Sequence, residues 1–233
     1  MKILHISDTH TNHDKINIPS DIDLIIHSGD FSSRKDTERN EKECADFIDW
    51  FSSLDIKHKV LVAGNHDTSI QAGLITSEQM KNRGIIYLEN ASVKIEGLLI
   101  WGSPYTPLYG EWAFMREEQE LSSIWNTIPD DADIVITHSP PRGMLDLTFD
   151  SDRDGIPIYR LCGSQSLAER INEVQPILHC FGHIHNSQQG TFVFNAGTRL
   201  KEGSRTIYSN GSCSTDGMWG EITSHGNTIE ITI

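Results

Sequence analysis

Cysteine is scarce in this chain of 233 residues, which has four: Cys44, Cys162, Cys180 and Cys213. None of them forms a C-x-x-C pair, and their scattered positions match no disulfide framework. Small secreted proteins that depend on disulfides show regular cysteine spacing, so this class is excluded and a reducing compartment is expected. We interpret the four thiols as small side chains that pack in the core or at the surface.

Long apolar runs are also missing. No stretch approaches the roughly 18 consecutive apolar residues that a membrane-spanning helix requires. The first residues, MKILHISDTH, contain only a short apolar stretch interrupted by His5, which does not resemble the apolar segment of a signal peptide. The sequence therefore predicts a soluble cytoplasmic protein that does not contact a membrane.

Positive charge is sparse as well. The chain has 19 Lys and Arg residues against 33 Asp and Glu residues, which gives a formal net charge of -14. Proteins bind duplex nucleic acid mainly by neutralising its phosphates with basic side chains. We therefore exclude duplex nucleic acid as a partner, and we leave a homodimer open.

No internal repeat, low-complexity tract or linker divides the chain, so we expect one domain over residues 1–233. Segments rich in Ile, Leu and Val alternate with amphipathic segments, which is typical of an α/β fold. The predicted strands are 2–7, 22–28, 59–64, 98–103, 133–139 and 176–183. Helices are predicted over 38–54 and 164–174, and closing antiparallel strands over 190–198, 205–211 and 227–233.

Polar side chains follow five of the six predicted strands. They are Asp8 and His10 after the first, Asp30 after the second, Asn65, His66 and Asp67 after the third, His138 at the end of the fifth, and His183 and His185 at the end of the sixth. Because ligands bind at the carboxyl ends of strands in open α/β sheets, these groups are expected to converge. An isolated D-x-H or H-x-H pair is common in turns, but five such strand ends together indicate a metal site.

The segments SDTH, HSGD, AGNHD, THSPP and FGHIH occur in this order over residues 8–185. They resemble the five signature blocks of the calcineurin-like metallophosphoesterase superfamily. Further segments, among them WGSPYTPLYGEWAF and RLCGS, resemble its metallophosphoesterase-domain-containing branch, which is related to class III cyclic nucleotide phosphodiesterases. The resemblance implies a four-layer α/β/β/α sandwich with mixed sheets and a dinuclear metal site at the strand ends.

The number of candidate ligands agrees with two metal ions, because one zinc ion takes about four ligands and seven side chains are available. The family pattern gives Asp8, His10 and His185 to one ion, Asn65, His138 and His183 to the other, and Asp30 to both. Sites with two metals clamp the attacking and leaving oxygens of a phosphoryl displacement. The ligand set has no thiolate, which favours hard or borderline ions but does not choose among them. We expect manganese, with iron, zinc, nickel or magnesium as alternatives.

His66 follows the ligand candidate Asn65 and is predicted to point to the other side of the local backbone, where it is free for another role. A departing alkoxide needs a proton, and we assign His66 as the general acid. The neighbouring Asp67 is predicted to orient and charge-stabilise the imidazole. An alternative for Asp67 is the cap of a following turn.

Substrate contacts are predicted from the segment after the fourth strand and from two residues elsewhere. Tyr105, Trp112 and Phe114 lie in a stretch rich in Pro and Gly, hence in a loop, where their rings would stack on a nucleobase or else anchor the loop to the core. Arg142 is a candidate contact to phosphate or ribose. Gly163 precedes a predicted helix and is a candidate for presenting backbone N–H groups to an anion.

The sequence thus predicts a dinuclear metal-dependent phosphodiesterase that cleaves small substrates such as cyclic nucleotides by attack of a metal-bound hydroxide. A phosphomonoesterase, including a protein phosphatase, would use the same site and is the first alternative. The second is a non-catalytic scaffold, which the intact motif positions disfavour.

Overall fold

The computed structural model describes residues 1–151, 156–185, 196–200, 202–215 and 220–232. Its strands are β1 (Lys2–Ile6), β2 (Leu24–His27), β3 (His58–Leu61), β4 (Ile86–Tyr87), β5 (Ala91–Ile95), β6 (Leu98–Ser103), β7 (Thr106–Pro107), β8 (Met115–Arg116), β9 (Ile134–Thr137), β10 (Leu147–Ser151), β11 (Pro157–Leu161), β12 (Leu178–Phe181), β13 (Gly197–Leu200), β14 (Ile207–Asn210) and β15 (Asn227–Glu230). The helices are α1 (Thr37–Ser53), α2 (Thr68–Gln71), α3 (Ser77–Lys81), α4 (Glu118–Trp125) and α5 (Gln165–Val174), with a 3-10 turn over His13–Lys15.

Two mixed sheets form the centre of the fold. The first has the strand order β15-β1-β2-β3-β4, in which β15 is antiparallel to β1 and the remaining neighbours are parallel. The second has the order β13-β14-β12-β9-β6-β5, with antiparallel pairs at its two edges and parallel pairs between them. Two short two-stranded ribbons, β10-β11 and β7-β8, lie outside these sheets.

Alternating side chains along the strands separate three hydrophobic clusters and so define four layers. On β9, Ile134 and Ile136 belong to the cluster between the sheets, whereas Val135 belongs to the cluster beneath α4 and α5. On β2, Leu24 and Ile26 face the other sheet, and Ile25 faces α1. This period of two places each sheet between its partner sheet and a helical layer, so the predicted α/β/β/α sandwich is confirmed.

The two predicted helices are confirmed and begin at side-chain caps. Asp36 accepts a hydrogen bond from the backbone N–H of Arg39 at the start of α1, and Ser164 accepts one from Leu167 at the start of α5. The predicted apolar face of α1 is buried. All six predicted strands are present, with ends that differ by a few residues.

The closing strands differ from the expectation in one respect. Strand β14 pairs antiparallel with β13 as predicted, but it pairs parallel with its other neighbour, β12. Strand β15 closes the first sheet antiparallel to β1. Residues 190–195 of the first predicted closing segment lie outside the described residues. In the part of the chain that is described, no helix has the length and apolar character needed to cross a bilayer.

Candidate metal centre

The loops that follow β1, β2, β3, β9 and β12 bring the strand-end residues together, as the sequence predicts. Four of these residues, Asp8, His10, Asp30 and His183, have positive φ values of 51°, 42°, 57° and 69°. Non-glycine residues adopt this left-handed backbone rarely and at a cost of about 1–3 kcal/mol each. The concentration of such residues in three loops indicates that the fold stores local strain to orient these side chains.

The first cluster consists of Asp8, His10 and His185, whose candidate ligand atoms all lie within 4.8 Å of one another. Nε2 of His185 is 3.0 Å from Oδ1 of Asp8 and 3.4 Å from Nε2 of His10. The Asp8 carboxylate also accepts hydrogen bonds from the backbone N–H of His183 and from the hydroxyl of Ser212. Asp8 and His10 are fully buried, so their ligand atoms are held in a site shielded from bulk water.

The second cluster consists of Asp30, His138 and His183, whose candidate ligand atoms also lie within 4.8 Å of one another. Nε2 of His138 lies 3.2 Å from Oδ2 of Asp30 and 3.0 Å from Oδ1 of Asn65. Asn65 is fully buried, and its Nδ2 has no hydrogen-bond partner among the described residues. Through this contact with His138, the amide oxygen is the atom that Asn65 presents to the second cluster.

Backbone carbonyls decide which ring nitrogens are available in the two clusters. Nδ1 of His138 lies 2.8 Å from the Ser28 carbonyl, and Nδ1 of His10 lies 3.0 Å from the Ser32 carbonyl. A carbonyl only accepts, so both Nδ1 atoms carry a proton, and Nε2 is the ring nitrogen left to bind a metal. Nε2 of His138 faces the Asp30 and Asn65 oxygens. Imidazole nitrogen together with carboxylate and amide oxygens is a suitable donor set for a bound cation.

The electrostatics of the clusters point the same way. Burial works against charge on His138, yet the adjacent Asp30 raises the pKa of His138 to about 9. Burial opposes ionisation of Asp8 and Asp30, but the histidines around them keep both carboxyl pKa values below their ordinary range. Burial lowers the pKa of His10 and of His183 to about 3. The site thus favours ionised carboxylates and a positive charge beside Asp30, which the His138 imidazolium supplies in the metal-free protein and a bound cation could supply in its place.

Two glycines of the sequence blocks leave the space that the ligand candidates occupy. A Cβ atom on Gly64 would overlap the Asp30 carboxylate, and one on Gly182 would overlap the side chains of Ser7 and Asp8. A side chain at either position would force the carboxylate out of its cluster. Glycine is therefore required, because the carboxylate lies close to the glycine backbone.

His66 lies beside the second cluster and is held by backbone contacts. The backbone N–H of His66 donates to Oδ1 of Asp30 at 2.7 Å, and the ring atom Nδ1 is 3.3 Å from the Ser33 carbonyl. The imidazole packs against Trp112, with ring centroids 4.2 Å apart and a tilt of 33°. It also lies edge-on to His10 at 4.9 Å, so it adjoins both clusters. His66 is partly exposed, and its Nε2 makes no hydrogen bond to the described residues.

Asp67 contacts the loops rather than the His66 ring. Its two oxygens accept hydrogen bonds from the backbone N–H groups of Gly64, Asp30 and Ser32, at 2.7, 3.0 and 3.0 Å, and from the Ser32 hydroxyl at 2.6 Å. Asp67 lies at the start of α2 but its side chain makes no capping bond there. The sequence predicted that Asp67 orients the His66 imidazole directly. In the structure both of its oxygens instead accept hydrogen bonds from residues of the Asp30 and Gly64 loops. Burial and the Asp30 charge raise the pKa of Asp67 to about 7, against the effect of these donors.

The predicted substrate contacts divide into residues at the site and residues away from it. Trp112 is at the site, against His66. Phe114 is buried in the core cluster beneath α1, so the alternative of a core anchor is correct for it. Tyr105 packs edge-on against Phe114 at 5.6 Å and beneath the Arg116 guanidinium.

Gly163 and Arg142 have partners within the protein. The Gly163 N–H donates to Oδ2 of Asp146 at 3.0 Å, and the next N–H, of Ser164, donates to the Pro140 carbonyl. Gly163 is therefore not an anion site, because its donor is already used by a carboxylate. Arg142 is exposed, and its guanidinium donates to the Leu161 carbonyl at 3.3 Å.

Sequence reasoning missed several supporting residues. Ser212 reaches Asp8 from 204 positions along the chain and has no local signal. Tyr109, whose ring centroid is 5.7 Å from that of His183, lies in the aromatic loop already singled out. Asn40 is fully buried on the apolar face of α1 and donates to the His66 carbonyl at 2.8 Å. A polar residue on that face, four positions before Cys44, was a readable signal.

The sequence profile described as calcineurin-like phosphoesterase matches residues 1–187. The chain belongs to this family. Membership implies metal-dependent phosphoester hydrolysis at a dinuclear metal centre, and the two clusters are the groups of residues that could hold the metals.

Two relatives and one solved structure show what the chain resembles. It is 34% identical over 236 residues to metallophosphoesterase domain-containing protein 1 of Homo sapiens, covering 90% of this chain and 65% of that protein. It is 35% identical over 195 residues to probable rhamnogalacturonate lyase C of Emericella nidulans, covering 79% of this chain. The chain spans only 17% of that protein, whose name describes a far longer polypeptide. The crystal structure of the protein TT1561 of Thermus thermophilus superposes with a TM-score of 0.58 at 14% identity, over 90% of this chain and 88% of that one, and shares the fold.

Proposed function

We propose that this protein is a phosphodiesterase that uses two divalent metal ions to cleave small diesters, with cyclic nucleotides as the leading substrate class. The observation that carries the proposal is the pair of clusters in which imidazole nitrogens and carboxylate oxygens converge, joined in the second cluster by the Asn65 amide oxygen. Family membership supports phosphoester hydrolysis, and the choice of a diester rests on the charges around the site.

Asp8, His10 and His185 are proposed to hold one ion, and Asn65, His138 and His183 the other. Asp30 is proposed to bridge the two, because its charge raises the pKa of His138 in one cluster and also opposes the lowering of the His10 pKa in the other. Oxygen and imidazole ligands without thiolate favour Mn²⁺, with Fe, Zn, Ni or Mg as alternatives. When bound, two such ions would acidify water and stabilise charge on the phosphoryl oxygens.

His66 is proposed to supply the proton for the leaving oxygen. Nδ1 donates to the Ser33 carbonyl, so the ring acts as an acid in its doubly protonated form, and the proton that it transfers is the one at Nε2. The N–H···Oδ1 bond to Asp30 keeps the backbone of His66 fixed relative to the bridging carboxylate. Asp67 acts indirectly in this proposal. Its oxygens accept from the backbone of Gly64 and Asp30 and from the N–H and hydroxyl of Ser32, which fixes the loop whose Asp30 carboxylate holds the His66 backbone. It is thus a positioning residue in this proposal.

The charges beside the site favour a diester, which carries one negative charge, over a monoester dianion. Lys35 lies 5.2 Å from the centre of the Trp112 ring, but its Nζ is 3.8 Å from a Glu111 carboxylate oxygen. Arg142 donates to a backbone carbonyl instead of pointing to the clusters with a free guanidinium. A second phosphate charge would best be balanced by a Lys or Arg clamp. A diester also brings an alkoxide leaving group, which gives His66 an oxygen to protonate.

A hydrolysis screen of the Mn²⁺-loaded protein tests this proposal. We expect kcat/KM for bis-p-nitrophenyl phosphate to exceed that for p-nitrophenyl phosphate, and 2′,3′- or 3′,5′-cyclic nucleotides to be opened to monoesters that persist. Phosphate release from nucleoside monophosphates at rates matching diester cleavage would replace the proposal with a phosphomonoesterase. A protein that binds two ions and hydrolyses neither class would instead be a binding scaffold.

A further inference from the structure

Two fully buried histidines outside the ligand set link neighbouring loops of the site. His5 lies on β1 and His27 on β2, one register step apart on adjacent parallel strands. Their side chains leave the first sheet on opposite faces. His27 packs against Phe47 and Phe31 beneath α1, with ring centroids 4.7 and 5.8 Å apart, whereas His5 reaches Ser209 on β14 of the second sheet.

Each histidine contacts the loop that follows the other one's strand. Nε2 of His27 is 3.1 Å from Oγ1 of Thr9, the residue between Asp8 and His10. Nε2 of His5 is 2.9 Å from Oγ of Ser28, whose carbonyl accepts from Nδ1 of His138. The β1 histidine therefore supports the loop after β2, and the β2 histidine supports the loop after β1. We refer to His5 and His27 as the crossed histidine pair.

The tautomer of His27 follows from its contacts. The backbone N–H of Gly29 donates to Nδ1 at 3.2 Å, so the ring proton is on Nε2 and donates to the Thr9 hydroxyl. One imidazole thus joins Thr9, beside two ligand candidates of the first cluster, to Gly29, beside the shared carboxylate Asp30. Burial lowers the pKa of His27 and of His5 to about 3, which keeps both rings neutral and able to accept as well as donate.

We propose that the crossed histidine pair positions the Asp8–His10 loop against the Asp30 loop, so that the affinity of both metal clusters depends on residues that bind no metal. The inference rests on the metal assignment of the proposed function. Outer partners that orient metal ligands typically contribute about 10- to 100-fold to metal affinity. A hydrogen bond that joins the loops of both clusters should therefore affect both ions when it is removed.

Thr9 offers a closely matched test. Thr9→Val removes the hydroxyl with little change in shape and leaves Nε2–H of His27 without its acceptor, whereas Thr9→Ser keeps the hydroxyl. Calorimetric titration of the chelator-stripped protein with Mn²⁺ should show that Thr9→Val and His27→Phe each weaken both sites about 10-fold or more. Thr9→Ser should remain close to the unaltered protein. Should His27→Phe fail to fold, the Thr9 pair still gives the comparison.

A stability control separates positioning from general loosening of the fold. Leu121→Ala, in the cluster beneath α4, lowers the Tm without touching the site, and we expect it to bind Mn²⁺ as the unaltered protein does. Wild-type affinity in Thr9→Val, or an equal loss in Leu121→Ala, would overturn the inference while the metal assignment stands. Failure of the unaltered protein to bind Mn²⁺, or unchanged Mn²⁺ binding in Asp30→Asn, would overturn the metal assignment and this inference with it.

Discussion

The indole ring of Trp112 packs on the imidazole of His66, with centroids 4.2 Å apart and planes tilted by 33°. Lys35 Nζ lies 5.2 Å from the centre of the same indole. The contact fixes the orientation of a ring that has only one hydrogen bond among the described residues, to the Ser33 carbonyl. We therefore expect Trp112 to orient His66, a role distinct from stacking on a nucleobase.

Trp112→Ala should lower kcat by about three- to tenfold, because an aromatic pair contributes about 0.5–1.5 kcal/mol beyond its buried area. KM should change little, and Trp112→Phe should recover most of the rate. Steady-state kinetics on a diester with an alkyl leaving group give both constants. A large rise in KM at unchanged kcat would show that Trp112 binds substrate instead.

His66→Ala should keep both metal sites and lose about 10²- to 10⁴-fold in kcat on a diester with an alkoxide leaving group, the usual contribution of a positioned general acid. The loss should shrink with a p-nitrophenol leaving group, which departs without a proton. Rates for a matched pair of substrates, together with metal analysis of the variant, check both statements. Equal losses for the two leaving groups would remove His66 from the role of acid.

Asp67→Asn should destabilise the metal-free protein by about 2 kcal/mol or more. One carboxylate oxygen becomes an NH₂ group that faces N–H or O–H donors, and a buried donor without an acceptor costs about 1–3 kcal/mol. Urea denaturation measures the change. Asn40→Ala is a useful comparison, since it loosens the His66 backbone from the α1 side without touching Asp30. Unchanged stability of Asp67→Asn with a large loss of kcat would restore the direct catalytic role.

Acid should destabilise the metal-free protein partly through His179. Burial lowers the pKa of His179 to about 3, from an unfolded value of 6.5, so the native state excludes a proton that the unfolded chain binds. Its stabilising contribution is complete above pH 6.5 and is lost as the pH falls. Between pH 7 and pH 5 the loss should be about 2 kcal/mol. The free energy of unfolding of His179→Phe should therefore fall by about 2 kcal/mol less over this pH range than that of the unaltered protein. Urea denaturation of both proteins in the presence of chelator measures the difference. An identical pH dependence in both proteins would contradict the prediction.

The parts of the fold that the sequence predicted are those with a strong local pattern. Strands β1, β2 and β9 are runs of buried Ile, Leu and Val, and α1 buries Cys44 and Phe51 on one face, so periodicity was sufficient. Strand β5 was missed although Ala91, Val93 and Ile95 alternate with polar residues, because the segment is short and mostly exposed at a sheet edge. The short α2 and α3, of four and five residues, give too few turns to show a helical period.

The candidate site was predictable to the extent that its residues follow strands. Topology brings Asp8 and His185 together because both follow strands of the central sheets, and the grouping of six candidates into two clusters matches the distribution that the family resemblance implied. Their role as ligands stays a prediction. The roles of Asp67 and Gly163 could not be read from the sequence, because hydrogen-bond partners such as Ser32 and Asp146 depend on how distant loops pack.

The metal content of the protein tests the central claim most directly. Chelator-stripped protein reconstituted with Mn²⁺ and freed of excess ion should contain close to two ions per chain by elemental analysis, and Asp30→Ala should lower the occupancy of both sites, because it removes the shared carboxylate. A control variant, Arg142→Ala, should retain two ions, since Arg142 donates to a carbonyl away from the clusters. One tightly held ion per chain, with Asp30→Ala still fully loaded, would contradict a dinuclear site bridged by Asp30.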